Sequence, residues 1–434
     1  MKSQETLGQR LRDLRMRRGI SQAQLAFPEL SDSYVSLIES DKRTPAPAVV
    51  ELLAKKLGCS ASYLASGVTD ETVAELRMTL QYGHMSLQNG EVDEARASFA
   101  EVMGHRDLHA FPDLVYDARW GHALALEAAG ELEPAVAELE RLATTLSPRH
   151  DPDRWAFLHI ALCRCHREAG DFGAGAEAGE RGLHHLTEAH TRWTESMVML
   201  GATLLSIYYE RGDLIHAQQF AKRLIDRAEE VGSARARAAA YWNAGIAMGR
   251  RGDLNEALRL EERALALLGE SDDARNLARL RGDCGLLLLR ARPDQAERAR
   301  DLIQRARSAL AAGAASEIDD AKYATNLAKA EITLGRPSEA VKLAKGAIEH
   351  LGGDAPRFAV ADALIALADG YMSLDLHEEA AEALRKAAET LEGMRSSRQA
   401  AQAWFDLAEL FGRTGDMKQR ADAYRRACAC VGLR

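Results

Sequence analysis

The densest group of metal-ligand side chains lies on one predicted helix. His159, Cys163 and His166 are spaced i, i+4 and i+7, which places them on the same helical face, and imidazole and thiolate are usual ligands of zinc. The alternative is that Cys163 and His166 occupy helix-packing positions, since small and large residues recur at equivalent places elsewhere in the chain. Because packing explains both residues, we predict a buried structural role and no bound metal.

The sequence lacks the usual motifs of enzymatic chemistry. It contains no phosphate-binding glycine loop, no nucleophile elbow and no HExxH pair. We therefore predict that the protein is not an enzyme and needs no cofactor.

A recurring glycine and alanine pair organises most of the chain. A Gly, or a residue replacing it, is usually followed five residues later by Ala, and successive copies are 39 to 44 residues apart. Glycine lets the chain adopt a left-handed conformation that ends one helix, and alanine lets the next helix pack closely. Seven residues before each break the side chain is usually small, as in Gly83, Gly245 and Cys284. The predicted breaks are Gly90, Gly130, Gly170, Gly212, Gly252, Ala291, Gly335, Asp375 and Gly415.

This order of small residue, large residue, turn glycine and alanine resembles the tetratricopeptide (TPR) repeat over about residues 70 to 434. The period is nearer 40 residues, whereas about 34 is typical of the family. The resemblance implies an all-α fold, with a right-handed TPR-like solenoid of about nine helical hairpins over residues 69–434. A generic all-helical array is the alternative.

The first seventy residues predict a different unit. Ser21 is placed to cap a short helix over Gln22 to Ala26, and Ser31 is placed to cap the next one. The run GISQAQLAFPELSDSYVSLIESDKRTP closely resembles the helix-turn-helix of the Cro and phage-repressor (XRE) class. The run differs from the usual pattern of this class in two places. Its turn is one residue shorter than usual, and Leu37 stands where a longer polar side chain is frequent. The resemblance implies a five-helix, lambda-repressor-like domain over residues 1–68.

The same resemblance implies a DNA interface. The helix beginning at Ser31 would enter the major groove with its outer side chains facing base edges, while polar residues around it would hold phosphates. Residues 1–68 carry 10 Lys and Arg against 7 Asp and Glu, although the whole chain has a net charge of -9. The alternative is a helix-turn-helix reused as a protein contact. The predicted DNA-binding residues are Gln22, Ser31, Asp32, Ser33, Ser36, Leu37, Lys42 and Arg43.

The resemblance to TPR domains also implies a ligand face. Positions six, nine and thirteen before each break would line the concave surface, where Asn can bond a peptide backbone and Arg or Lys can hold a carboxylate. Acidic Asp362, Asp369 and Glu409 farther along would favour a ligand with a basic segment. A solvated helix face without a ligand is the alternative. The predicted ligand-binding residues are Arg77, Gln81, His84, Arg164, Asn243, Arg281, Lys322, Asn326 and Lys329.

The combined plan resembles the RRNPP type of bacterial regulator, in which a helix-turn-helix precedes TPR repeats that sense short peptides. We therefore expect a ligand-responsive transcriptional regulator that binds double-stranded DNA as a homodimer and takes a signal peptide. The alternatives are a promoter-recruited adaptor that docks a protein partner, and a small-molecule sensor. No apolar run in the sequence is long enough to cross a bilayer, and the N-terminus lacks the apolar core of a signal peptide. We expect a cytoplasmic protein.

Overall fold

The structure is a computed structural model of the 434-residue chain, and it describes residues 6–105, 108–269, 274–311, 317–351, 356–392, 394 and 398–432. These residues form α-helices and two short 3-10 helices, Leu108–Ala110 and Pro293–Gln295, with no strand among them. No helix within the described ranges is both long and apolar enough to cross a membrane. The α-helices are α1 (Leu7–Arg17), α2 (Gln22–Ala26), α3 (Asp32–Glu39), α4 (Pro47–Leu57), α5 (Ala61–Ser66), α6 (Asp70–Asn89), α7 (Val92–Met103), α8 (Pro112–Ala128), α9 (Leu132–Ala143), α10 (Pro152–Glu168), α11 (Phe172–Ala189), α12 (Glu195–Arg211), α13 (Leu214–Val231), α14 (Ala234–Arg251), α15 (Leu254–Leu268), α16 (Ala274–Ala291), α17 (Ala296–Ala311), α18 (Glu317–Thr333), α19 (Pro337–His350), α20 (Arg357–Met372), α21 (His377–Leu391), α22 (Arg398–Arg413) and α23 (Met417–Cys430).

The chain divides into two compact units, Met1–Leu142 and Ala143–Arg434. The first contains α1 to α5 and the hairpins that follow them, and the second contains the remaining hairpins. The predicted domain boundary after residue 68 falls within the first unit, between α5 and α6, and stays a prediction.

Helices α1 to α5 form around a small apolar core. Serine caps set their starts: Ser21 accepts a hydrogen bond from the backbone N–H of Gln24, and Ser31 accepts one from that of Tyr34. The core side chains come from all five helices, and its largest members are Leu11, Leu25, Val35, Ile38, Leu53, Leu57 and Leu64. The predicted five-helix arrangement is confirmed.

Helices α6 to α23 follow one another as nine helix–turn–helix pairs across the described residues. The two helices pack against each other in eight of these pairs, and in the pair α8 and α9 Arg119 lies 3.8 Å from Glu138. The seven predicted turn glycines have φ between 72° and 96°, which is the left-handed region that ends a helix. Asp375 adopts the same region with φ 58°. The alanines five residues after the breaks, such as Ala95, Ala257 and Ala340, are fully buried. The all-α repeat prediction is confirmed.

The predicted break at Ala291 is displaced by one residue. A Cβ on Gly285 would lie 2.9 Å from the carbonyl oxygen of Ala299 and 2.7 Å from a side-chain carbon of Ile303. Gly245 on α14 makes the equivalent contact with α15, because a Cβ added to it would lie 3.2 Å from the carbonyl oxygen of Ala257. Gly285 is therefore the small contact residue of α16, and Cys284 is not. The reason is that the 3-10 helix Pro293–Gln295 replaces the glycine turn and adds residues before α17.

Candidate DNA interface and ligand groove

Helix α3 has one buried and one exposed face. Val35 and Ile38 are buried in the core, while Ser33, Ser36 and Leu37 are exposed on the outer side. Burial of the inner pair fixes the rotation of the helix, so the three outer side chains are presented together. This arrangement suits a helix that contacts base edges in a major groove.

The residues flanking this face have more specific placements. The hydroxyl oxygen of Ser31 accepts from the N–H of Tyr34 at 3.2 Å, and a carboxylate oxygen of Asp32 accepts from the N–H of Ser33 at 2.8 Å. Both side chains therefore stabilise the start of α3. Lys42 and Arg43 are exposed just beyond its end, and the guanidinium of Arg43 lies 5.1 Å from the centre of the Tyr34 ring.

A buried ion pair joins α1 to α3. Arg15 binds Glu39 through two bonds, Nε to Oε1 at 2.5 Å and Nη2 to Oε2 at 2.9 Å. Burial opposes ionisation of Glu39, but the hydrogen bonds from Arg15 and Gln22 outweigh it and lower the pKa of the carboxyl. Gln22, predicted to hold a phosphate, is half-buried and donates its amide N–H to Glu39 Oε2 at 2.8 Å. One of its donors is thus used to fix α2 against α3.

Lys56 fixes the turn between α2 and α3. Its Nζ donates to the carbonyl oxygens of Leu25 at 3.0 Å and Phe27 at 2.6 Å, and it lies 2.6 Å from a carboxylate oxygen of Glu29. A cation at these carbonyls satisfies the end of the five-residue helix α2. Sequence reasoning missed Arg15, Glu39 and Lys56, because their partners are distant in the chain.

Three predicted ligand residues lie on α6 in the first unit. Arg77 and Gln81 are exposed. His84 is half-buried with its ring edge-on to Phe99 at 5.0 Å between ring centres, and burial lowers the pKa of its imidazole against an opposing effect of Asp117. The other candidates belong to the second unit, where Arg164 is half-buried on α10.

A row of polar side chains crosses helices α16, α18 and α20 in the second unit. We define the polar row as Asp283, Lys322, Asn326, Lys329 and Asp362. Lys322 Nζ lies 3.9 Å from Asp283 Oδ1, and Lys329 Nζ lies 2.7 Å from Asp362 Oδ1. The row therefore has a lysine–aspartate pair at each end, and the amide of Asn326 lies between them, one helical turn from each lysine.

The two predicted asparagines have different surroundings. Asn243 on α14 is half-buried, and its amide donates to the carbonyl oxygen of Ala239 at 3.0 Å. Asn326 is only 4% exposed, yet neither of its amide atoms is among the buried polar atoms of the described residues that lack a hydrogen-bond partner. Asn326 is therefore more enclosed than Asn243, and its amide can both donate and accept hydrogen bonds.

Arg281 does not occupy the position equivalent to the two asparagines, and its role in ligand binding stays a prediction. With the break at Arg292, the residue nine positions earlier is Asp283, which is equivalent to Asn243 and Asn326. Asp283 Oδ2 accepts from the indole N–H of Trp242 at 3.2 Å and lies beside Lys322. Arg281 is two residues earlier and so lies about 200° away around the helix.

Burial and ion pairing determine how much negative charge the acidic residues near the polar row present to a ligand. Burial raises the pKa of Asp283, although Lys322 and the bond from Trp242 oppose that shift. Asp362 is held by Lys329, and Asp369 accepts from Arg413 at 2.5 Å. The expected attraction for a basic ligand segment is therefore weakened, because neither carboxylate presents a free negative charge.

The candidate metal ligands occupy packing positions. The sulfhydryl of Cys163 donates to the carbonyl oxygen of Gly175 at 3.3 Å. Nδ1 of His159 lies 2.8 Å from the carbonyl oxygen of Ala178. Burial lowers the pKa of His159 to about 4 and raises the pKa of Cys163 to about 12. His166 is half-buried. Over the described ranges, no group of three or more His, Cys, Asp or Glu side chains is placed to hold a metal ion.

Comparison with known sequences finds a match at the N-terminus. A family described as a helix-turn-helix domain matches residues 6–66. The HTH-type transcriptional regulator RamB of Mycobacterium tuberculosis is 42% identical over 76 residues. That match covers 17% of this chain and 16% of the length of RamB.

Comparison with solved structures finds helical repeat proteins. A Rap protein complexed with Competence and Sporulation Factor has a TM-score of 0.53 at 14% identity, covering 82% of this chain and 97% of that chain. The Rap conjugation gene regulator of plasmid pLS20, in complex with the Phr* peptide, has a TM-score of 0.50 at 13% identity, covering 82% and 94%. At these identities the likeness shows the fold alone. The chain thus carries an N-terminal helix-turn-helix domain of the kind found in DNA-binding transcriptional regulators, followed by TPR-like helical repeats.

Proposed function

We propose that this protein is a ligand-responsive transcriptional regulator that binds operator DNA as a homodimer. The observation that carries the proposal is the exposed row Ser33, Ser36 and Leu37 on a helix whose opposite face is locked into the core. The similarity to the helix-turn-helix of RamB supports the same role. Lys42 and Arg43 add exposed positive charge beside that row, where phosphates of the DNA backbone would lie.

Substitutions of Arg43 and Ser33 are expected to have different effects on DNA binding. Arg43→Ala should weaken all sequences alike and reduce the slope of log affinity against log salt by about 1, because a phosphate contact carries no sequence information. Ser33→Ala should change which sequences are preferred. Fluorescence anisotropy across a salt series, on duplexes that the wild-type chain enriches from a random library, measures both. Lys55→Ala, an exposed cation on α4, is the control. A wild-type chain that enriches no duplex would contradict the proposed function.

We propose further that the second unit binds a signal peptide along the polar row and Asn243. Asn326 supports this, since its amide lies between Lys322 and Lys329 on α18 and can both donate to and accept from a peptide backbone. Lys322 and Lys329 can each bind a ligand carboxylate, and Asp283 and Asp362 can each bind a ligand amine. Each residue would stay close to its present ion-pair partner. A peptide occupies the solved structure of the pLS20 Rap regulator, to which the fold is similar.

The double substitution Asn243→Ala with Asn326→Ala tests the groove. We expect peptide affinity to fall at least about 30-fold, since each backbone group left unpaired costs roughly 1–3 kcal/mol. The probe is a peptide selected from a displayed random short-peptide library on the full chain, and calorimetry gives the affinity.

Asn255→Ala, on the exposed side of α15, is the matched control and should leave peptide affinity unchanged. Unchanged affinity in the double variant would place the peptide elsewhere. Failure to select any peptide would contradict the ligand part of the proposal and leave the DNA-binding part standing.

A further inference from the structure

An apolar stripe is exposed on α6, the first helix after the helix-turn-helix domain. Met78, Tyr82 and Met85 are 62%, 51% and 54% exposed. Their spacing of i, i+4 and i+7 puts the three side chains on one face of the helix. We call these three residues the α6 stripe.

The equivalent positions are buried in later hairpins. The α6 stripe lies twelve, eight and five residues before Gly90, and in the second unit the preceding hairpin covers these positions, as α12 and α13 cover α14. The α6 stripe is therefore a repeat-stacking surface that nothing covers within the described part of the first unit. The buried equivalents are Leu200, Leu204 and Ile207 in α12, Ala240, Ala244 and Ala247 in α14, and Tyr323, Leu327 and Ala330 in α18.

An uncovered stacking surface is unusual at the end of a repeat array. Terminal repeats generally carry a polar outer face that keeps the protein soluble. Here the terminal face carries two methionines and a tyrosine, which are common in protein interfaces. The composition therefore points to a surface that becomes covered by a partner.

We infer that the partner is the α6 stripe of a second copy, packed antiparallel about a two-fold axis near Gln81 and Tyr82. In that register Met78 of one copy faces Met85 of the other, and the same patch serves both copies. The side chains nearest the axis are uncharged, so self-pairing brings no like charges together there. This inference rests on the proposed function, in which two copies read one operator.

The length of α6 supports this occupant. The helix begins at Asp70, between eleven and twelve residues from the axis. At 1.5 Å per residue, the two helix starts, to which the helix-turn-helix domains are joined, lie about 35 Å apart. Half-sites one DNA turn apart are separated by about 34–36 Å. The points at which the two helix-turn-helix domains join the antiparallel pair are therefore about as far apart as adjacent half-sites.

The α6 stripe has a small surface area, and this limits the affinity between the two copies. Three partly exposed side chains supply less than the roughly 800 Å² per partner of a standard interface. The pair is therefore weak in free solution and becomes stable when both helix-turn-helix domains occupy one duplex, since the second contact is then intramolecular.

A charge-swap experiment tests the register in the full-length protein. Met78→Glu with Met85→Glu sets carboxylates against each other and should lower affinity for a two-half-site duplex by about 100-fold, the scale of the lost avidity. Met78→Lys with Met85→Glu sets opposite charges together and should restore most of that affinity. The duplex is one enriched by the wild-type chain, and sedimentation velocity counts the copies bound to it.

Binding to the isolated half-site separates this inference from the proposed function. Both variants should bind the half-site like the wild type, because the two substituted residues, Met78 and Met85, lie outside the helix-turn-helix domain. Wild-type affinity of the double-glutamate variant for the two-half-site duplex would overturn the inference, as would a charge-swap variant no better than the double-glutamate one. If the wild-type chain did not bind the isolated half-site, that result would instead contradict the proposed DNA-binding role.

Discussion

Replacement of Glu39 by alanine is expected to cost the helix-turn-helix domain about 3 kcal/mol and to abolish sequence-specific DNA binding. The carboxylate holds Arg15 by two bonds and Gln22 by a third. Without it, the Arg15 guanidinium, only 13% exposed, is left without its charge partner, and α2 and α3 lose a shared anchor. Hydrogen exchange of α1 to α3 in the full-length protein and anisotropy on a selected duplex measure the two effects.

Two further variants separate this ion pair from a general effect of charge. Glu29→Ala removes an exposed acid that pairs with Lys56, and it should change stability little. The double variant Arg15→Met with Glu39→Leu replaces both charges by apolar side chains and should regain most of the lost stability. Native protection of α1 to α3 in the Glu39→Ala protein would contradict the role given to this pair.

The same ion pair gives the domain a defined pH dependence. The pKa of Glu39 in the folded protein lies below its ordinary value of 4.5. The stabilisation is therefore fully present above that pH and is lost as the pH falls through the folded-state pKa.

Local signals in the sequence predicted the helix-turn-helix domain well. The predicted range Gln22 to Ala26 agrees with α2, and the predicted cap at Ser31 agrees with the start of α3. Capping serines, an N-terminal proline and a terminal glycine act over a few residues, so a single sequence carries them. The turn glycines of the repeats succeeded for the same reason.

Side-chain pairing could not be predicted in the same way. Arg15 and Glu39 are 24 residues apart, and Lys329 and Asp362 are 33 residues apart. No local pattern says which charges meet across packed helices, so the prediction that Asp362, Asp369 and Glu409 favour a basic ligand segment did not include the pairing of two of them with Lys329 and Arg413. The burial of Asn326 likewise depends on neighbours from other hairpins.

The one register error arose from a local replacement that sequence reasoning did not weigh. A helix break with alanine in place of glycine was predicted at Ala291, so Cys284 was predicted as the small residue seven positions before it. The structure instead has Pro293 at the start of a 3-10 helix, and the small contact residue is Gly285. The displacement changes the position nine residues before the break from Gly282 to Asp283, and the predicted ligand face had Arg281, the neighbour of Gly282, in place of Asp283.

Gly285→Val is expected to destabilise the second unit by roughly 2–3 kcal/mol, the upper part of the range for overpacking. A Cβ at this position would lie 2.9 Å from the backbone oxygen of Ala299, which cannot move aside as a flexible side chain can. The added methyl groups would force α16 and α17 apart. Thermal and urea unfolding of the full-length protein measure the loss.

Two control substitutions, Gly346→Ala and Cys284→Ala, show whether the loss of stability comes from the contact between Gly285 and α17. Gly346→Ala, at a glycine within α19 that has nothing within 4 Å of the added carbon, should stabilise the protein by about 0.5–1 kcal/mol, because alanine favours a helix. Cys284→Ala should cost less than Gly285→Val, since it only removes a buried sulfur atom. If Cys284 were the close contact, Gly285→Val would be tolerated and Asp283 would no longer be equivalent to Asn326. The order of the three stabilities therefore also decides which side chain of α16 belongs to the groove.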